Sequence, residues 1–288
     1  MSNPLRHLLL CAALAALPLG HATAQEARKE PAGEARAAQG ALALLPADSV
    51  TEHTADLGGR KLAYTATAGT FPLYDQNGER AAAIFYTAYV AKDAGAPRPL
   101  TFVFNGGPGA ASAYLHLGLA GPRVVEFGPS PTGAQASLRD NPDTWLAFTD
   151  LVFVDPVGTG WSRPAKPDGA KDFWGVKADA QALAKVIALY VAKNGRNASP
   201  LYILGESYGG FRAVKVARAL QREQGLVASG IVMVSPFLEG SLGSRQFALG
   251  AALHLPSLAA AALDRRNAFT PEALAAAERF AMTEYLVT

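Results

Sequence analysis

Apolar and polar positions follow different periods in successive parts of the chain, and each change of period marks a change of element. An apolar run at residues 8–19 has no polar face. Residues 25–48, rich in Ala, Glu, Arg, Gly and Pro, show no sustained apolar period and are expected to form a flexible linker. Residues 61–67 and 81–91 carry the branched and aromatic residues of strands. The turn signal Asp75-Gln76-Asn77-Gly78 between them predicts antiparallel pairing. Residues 100–104, 151–154, 201–204 and 231–234 are short, nearly continuous apolar runs, the pattern of strands buried on both faces. Between the second and third of these, Ala180, Leu183, Ala184, Ile187, Ala188 and Val191 keep the three-four spacing of a helix over Val176–Lys193. Beyond Phe237 the strand signal stops. Residues 246–263 and 271–287 are rich in Ala and Leu and are expected to be helical, with Thr270 as cap and Pro271 in the first turn. No internal repeat or heptad run is present.

An antiparallel lead-in followed by β-α-β-α alternation predicts an α/β protein with an open, doubly wound sheet. Ligands of such sheets bind at the C-terminal ends of the strands. With 288 residues, half of them apolar, the chain can bury one large core or two small ones. Residues 1–24 are not counted toward it. Arg6 and His7 precede the apolar run and Ala22-Thr23-Ala24 offers small residues for cleavage, so a secretory signal peptide ending at Ala24 is expected. The run is too short for a lasting membrane anchor, and the expected location is periplasmic or extracellular. Cys11, the only cysteine, lies inside that run, so the mature chain would have no disulfide, thiol nucleophile or thiolate metal site. The 26 basic and 24 acidic residues nearly balance without a basic cluster, which argues against a nucleic-acid partner. Nothing in the sequence calls for a metal or an organic cofactor.

The chemistry collects where strands end. Residues 201–210 read Leu-Tyr-Ile-Leu-Gly-Glu-Ser-Tyr-Gly-Gly, an apolar strand running into a G-x-S-x-G turn centred on Ser207. A strand-to-helix elbow of this kind presents a serine hydroxyl as a nucleophile. Gly205 and Gly209 suit it because strand end and helix pass too close for β-carbons. After the strand at 100–104 comes Asn105-Gly106-Gly107-Pro108-Gly109. Its glycines let backbone N–H groups approach a ligand, as an oxyanion hole requires. In hydrolases on this sheet one donor comes from that loop and one from the residue after the nucleophile, here Gly107 and Tyr208. A phosphate cradle is disfavoured, since no G-K-[ST] follows and Pro108 removes a donor. Asp155, closing a strand before Pro156, is expected to satisfy loop N–H groups rather than to act as the catalytic acid. Trp161 is expected either in a substrate wall or in packing.

Five motifs in order, residues 105–110 (Asn-Gly-Gly-Pro-Gly-Ala), Glu126-Phe127-Gly128-Pro129, Asn141-Pro142, residues 155–162 (Asp-Pro-Val-Gly-Thr-Gly-Trp-Ser) and residues 205–209, resemble the serine carboxypeptidase family, in particular its secreted bacterial branch. The similarity runs from about residue 60 to at least 240. It implies an α/β-hydrolase-type core at 49–240 and the start of a helical cap insertion at 241–288. It also implies that Ser207 is the nucleophile, that Gly107 and Tyr208 are the oxyanion donors, and that Asn105, the Gly106 amide, Glu126 and Glu206 recognise the C-terminal carboxylate of a peptide or small protein substrate. An ionised glutamate repels a carboxylate, so the resemblance further implies that Glu126 and Glu206 share a proton and that activity prefers acid. Three features depart from the family pattern. Val103 replaces a frequent aromatic, Asp155 runs directly into Pro156 without the intervening residue of the eukaryotic motif, and the bracing cysteines are missing.

A serine nucleophile needs a histidine base and an orienting carboxylate, which on this fold follow it as Asp or Glu and then His. After Ser207 the chain has one histidine, His254, and one aspartate, Asp264, which comes after that histidine rather than before it. His254 is expected in the helical insertion, His116 in loop packing or a pocket wall, and His53 before the first clear strand. The expectation is therefore an N-terminal portion of a longer hydrolase, with the last strands, the catalytic Asp and the catalytic His beyond it, and inactive alone. An esterase or acyltransferase on the same scaffold, or a non-catalytic binding protein, are the alternatives.

Overall fold

The computed structural model describes residues 40–92, 97–128, 135–240 and 248–287. The expected signal peptide and most of the linker lie outside the described residues. At the linker's end, Gly40–Leu44 forms a 3-10 turn that buries Leu42.

The strands in chain order are β1 (Ser49–Asp56), β2 (Lys61–Tyr74), β3 (Arg80–Ala91), β4 (Leu100–Phe104), β5 (Arg123–Glu126), β6 (Ser137–Asp140), β7 (Asp150–Val154), β8 (Arg163–Pro164), β9 (Leu201–Glu206) and β10 (Gly230–Val234). The helices are a single turn α1 (Ala113–Leu115), α2 (Val176–Lys193), α3 (Tyr208–Ala219), α4 (Ala248–Asp264) and α5 (Pro271–Phe280). The main sheet has the order β1-β2-β3-β7-β4-β9-β10, with β8 paired to β3. Its first strands are antiparallel and β7, β4, β9 and β10 are parallel. The hairpin turn at Asp75 forms as expected, closed by Gly78 N–H donating to Asp75 O at 3.1 Å and by Asp75 Oδ1 accepting from the Asn77 and Glu79 amides.

The continuous apolar runs are explained by a core on each side of the sheet. Phe102, Phe104, Val152, Val154 and Ile203 pack with Leu183, Ile187 and Tyr190 of α2 and with Ala213 and Val216 of α3. Val103, Leu151, Phe153 and Leu204 face the other way, onto Leu115, Ala120 and Leu146. Tyr190 meets Phe71, Tyr86 and Phe102 edge-on, a geometry that favours aromatic pairs.

Three elements differ from expectation. β1 is a strand although Ser49-Val50-Thr51-Glu52-His53-Thr54 is exposed throughout; its pairing to β2 is a backbone matter that side-chain period does not report. The β5–β6 ribbon is likewise unmarked in the sequence. β10, expected to be covered on both faces, leaves Ile231, Val232 and Met233 about two-fifths exposed (36%, 38% and 43%), because it is the edge strand among the described residues. Beyond it the helices form as read, Thr270 Oγ1 accepting from Ala273 N–H with Pro271 opening α5.

Candidate active site

β9 ends and α3 begins on Ser207, whose φ of 57° and ψ of −123° are costly for a residue with a β-carbon. Three backbone bonds hold it there. Ser207 N–H donates to Val234 O at 2.9 Å, and Ser207 O accepts from Gly210 and Phe237 amides at 3.0 and 2.9 Å. A β-carbon on Gly205 would collide with Gly209 O, and one on Gly209 with Phe104 O. Both glycines are thus required by space, as the sequence suggests.

The loop after β4 lies against this elbow. A β-carbon on Gly106 would stand 2.7 Å from both Glu206 O and Tyr208 N. Gly107, at φ 105°, adopts a backbone that favours glycine. The N–H groups of Gly106, Gly107 and Tyr208 have no acceptor among the described residues. Asn105 is buried at the loop's start. Its Nδ2 donates to Glu206 Oε2 at 3.2 Å, and its Oδ1 accepts from Leu115 N–H at 2.9 Å. Four expected site positions, Asn105, Gly106, Glu206 and Ser207, therefore meet at one sheet end.

Glu126 is differently placed. It ends β5, is more than half exposed, and pairs with Arg139 Nε at 3.0 Å across the β5–β6 ribbon. No hydrogen bond joins it to Glu206 among the described residues. The register that sets Glu126 opposite Ser137 also brings it within reach of Arg139, a partner on a ribbon that sequence reasoning did not find.

Asp155 behaves as read. Its Oδ1 accepts from Ser112 N–H at 2.9 Å and its Oδ2 from Trp161 N–H at 3.2 Å, while Ser162 Oγ donates to Asp155 O at 2.6 Å. Burial pushes its carboxyl above the usual range and the two amides partly offset that. Trp161 lines a small apolar hollow with Leu45 and Phe85, away from the elbow. Trp174 lines a cleft of about 350 Å³ together with Pro108, Gly109, Val157, Tyr208 and Arg212. A larger cleft of about 530 Å³ follows the β2–β3 turn and α2, and none of the expected site residues lines it.

The histidines are engaged elsewhere. His53 stacks on Tyr64 and shares a hydrogen with Thr51. His254 Nδ1 lies 2.7 Å from Gly250 O, within α4. His116 lies between Phe153, stacked at 4.4 Å, and Tyr89, whose hydroxyl is 2.6 Å from Nε2. Among the described residues, Ser207 Oγ has no side-chain partner and no group of three His, Cys, Asp or Glu is placed to hold a metal.

Burial lowers His116 from 6.5 to about 4, which makes an expected acid sensitivity measurable. The unfolded imidazole takes a proton near pH 6.5, and the folded one only near pH 4. The stabilisation is therefore complete above pH 6.5 and is lost as pH falls toward 4, about 3 kcal/mol in all at roughly 1.4 kcal/mol per unit. His116→Phe retains stacking on Phe153 but removes this slope. Asp155 and Asp179, raised by burial, act with the opposite sign and are common to both proteins. Urea unfolding at pH 6.5 and pH 4 tests the expectation, and identical pH dependence in parent and variant would overturn it.

Comparison with known proteins bears on the family and the fold. The family model described as serine carboxypeptidase matches residues 66–226, more than half of the chain. Serine carboxypeptidase-like 51 of Arabidopsis thaliana is 37% identical over 137 residues, 46% of this chain and 27% of that protein. Retinoid-inducible serine carboxypeptidase of Rattus norvegicus is 35% identical over 133 residues, 45% of this chain and 27% of that protein. Among solved structures, the prohormone-processing carboxypeptidase Kex1(delta)p of Saccharomyces cerevisiae superposes with a TM-score of 0.53 at 20% identity, over 77% of this chain and 53% of that one. The matches thus span well under two thirds of each relative's length. The last of them supports the α/β-hydrolase fold alone. By the family model and by the order of its motifs, the chain belongs to the serine carboxypeptidase family.

Proposed function

We propose that this chain contributes the nucleophile and the substrate-recognition loop of a serine-type carboxypeptidase. Ser207 Oγ attacks the last peptide carbonyl, and the oxyanion is held by Gly107 and Tyr208 N–H. A base takes the serine proton and passes it to the departing amine, so the C-terminal amino acid leaves and an acyl-enzyme remains. Water then releases the shortened peptide by the same steps in reverse order. The base and its orienting carboxylate are assigned to none of the described residues, and the whole reaction is proposed for an enzyme that supplies both.

One observation carries the reading. Asn105, bound to Glu206 by its side chain, stands beside the Ser207 elbow together with the Gly106 N–H, which has no acceptor among the described residues. An amide side chain, a backbone donor and a glutamic acid in its protonated form can all donate to a carboxylate. That set suits a chain end. Glu126 is proposed to join the set by leaving Arg139 when substrate binds.

The test compares a blocked peptide having a free C-terminal carboxylate with its C-terminal amide. Charge-assisted hydrogen bonds to the carboxylate are expected to favour the free acid by about 2–3 kcal/mol, roughly 30- to 150-fold in kcat/KM. Equal cleavage would overturn chain-end recognition and favour an esterase or acyltransferase. Continuation of the coding sequence past codon 288 into strands bearing Asp and His is the expected genetic finding. A stop there would favour a non-catalytic binding protein.

A further inference from the structure

Beneath the recognition loop lies a buried cation that the proposed chemistry leaves unused. Arg212, on the first turns of α3, is 3% exposed. Its Nε donates to Asp179 Oδ2 of α2 at 2.7 Å, its Nη1 donates to Asn105 O at 2.7 Å, and its guanidinium lies 5.0 Å from the centre of the Tyr208 ring. Burial raises the Asp179 carboxyl and the guanidinium opposes that rise. A guanidinium can grip two acceptors at fixed angles, which an ammonium cannot.

The contact with Asn105 O has a directional consequence. Asn105 C=O and Gly106 N–H belong to one peptide unit, which is planar and trans, so the two groups point in opposite directions. Gripping the carbonyl from below therefore aims the N–H to the opposite side. A full positive charge on the carbonyl oxygen also polarises the unit and makes its N–H a stronger donor. The side chain of the same residue is fixed separately, by Glu206 and by Leu115 N–H. Gly106 itself has no side chain to anchor it, and a β-carbon there would strike the elbow.

We infer that Arg212, clamped by Asp179, is a positioning residue that aims the Gly106 amide at the C-terminal carboxylate of a peptide substrate. The inference rests on the proposed chain-end recognition and adds to it how the backbone donor is held. Asp179 holds the Arg212 guanidinium in its orientation. The Tyr208 ring contact steadies a side chain, while Tyr208 N–H is held by the backbone of the elbow. The effect of Arg212 is thus directed to carboxylate recognition rather than to the oxyanion.

The experiment uses the whole active enzyme that contains this chain. Arg212→Gln alone leaves Asp179 buried without its partner and is expected to destabilise the fold. The double variant Asp179→Asn, Arg212→Gln removes both charges and is the one to assay, with its folding checked by circular dichroism and thermal melting. Against the free-carboxylate peptide, kcat/KM is expected to fall about 10-fold, chiefly through KM, the loss of roughly one charge-assisted hydrogen bond. Against the C-terminal amide it is expected to stay within about 2-fold. Arg212→Lys, which keeps the charge without the fork, is expected to lower the free-acid preference as well. An equal fall on both substrates would make Arg212 a structural residue only and overturn the inference, as would no change on either. A parent enzyme that cleaves acid and amide equally would overturn the chain-end reading itself, and this inference with it. The parent ratio thus tests the function, and the change in that ratio tests Arg212.

Discussion

Replacing Ser207 by alanine in the complete enzyme is expected to lower kcat on a free-carboxylate peptide by roughly a million-fold, the loss seen when the nucleophile of a serine triad is removed. A residual rate above water is expected, because the backbone donors of Gly107 and Tyr208 proposed for the oxyanion are left in place. Folding is expected to be unaffected, since the Ser207 hydroxyl has no partner among the described residues and its backbone is held by Val234, Gly210 and Phe237. Ser207→Gly separates the role of the hydroxyl from that of the backbone. At φ 57° and ψ −123° glycine is at ease and serine is not, so this variant is expected to be as inactive as alanine yet more stable by about 1 kcal/mol. Activity retained in either variant would remove Ser207 from the mechanism. Denaturant midpoints measured alongside give the stability half of the result.

Asp150→Ala is expected to have the largest effect on stability, about 3–5 kcal/mol, without touching the site. Asp150 opens β7 and is almost fully buried. Its Oδ1 accepts from Arg98 Nε at 2.7 Å and from Ala91 N–H at 3.0 Å, and its Oδ2 accepts from Arg196 Nη1 at 2.7 Å. Arg196 also donates to Arg98 O, and Arg98 to Leu146 O, so one carboxylate ties β3, β7, the approach to β4 and the end of α2 together. Alanine leaves two guanidinium groups mostly out of water with no counter-charge. Because Asp150 is at the N-terminal end of the parallel strands and Ser207 at the C-terminal end, whatever folds should keep its kcat/KM. A midpoint close to the parent's in urea would overturn the expectation, and a large change in kcat/KM of the folded fraction would show that the two ends of the sheet are coupled.

How much of the protein was legible in advance depends on the range of the interactions involved. The positions of the four strands read from continuous apolar runs, α2, the Asp75 turn and the Thr270 cap depend on period and local chemistry, and each is found within a few residues of its reading, although β10 is a partly exposed edge strand. β1 was not legible, because an exposed strand is held by its neighbour's backbone and its side chains carry no pattern. Trp161 and Trp174 could not be ranked as cleft walls, since both lie in loops whose path is set by contacts distant in sequence. The same holds for the ion pair of Arg212 with Asp179, thirty-three positions earlier.

The sequence by itself determined the sheet's apolar strands, the elbow at Ser207 and the glycines around it, because backbone sterics at a tight turn admit few residue types and leave them visible as a motif. It also carried the family. Only the tertiary structure decided which partners the charged groups take. It set Glu126 against Arg139, Asn105 against Glu206, and Arg212 between Asp179 and the Asn105 carbonyl. Charges pair by distance in space, and that distance is fixed by strand order and register, which no local pattern records.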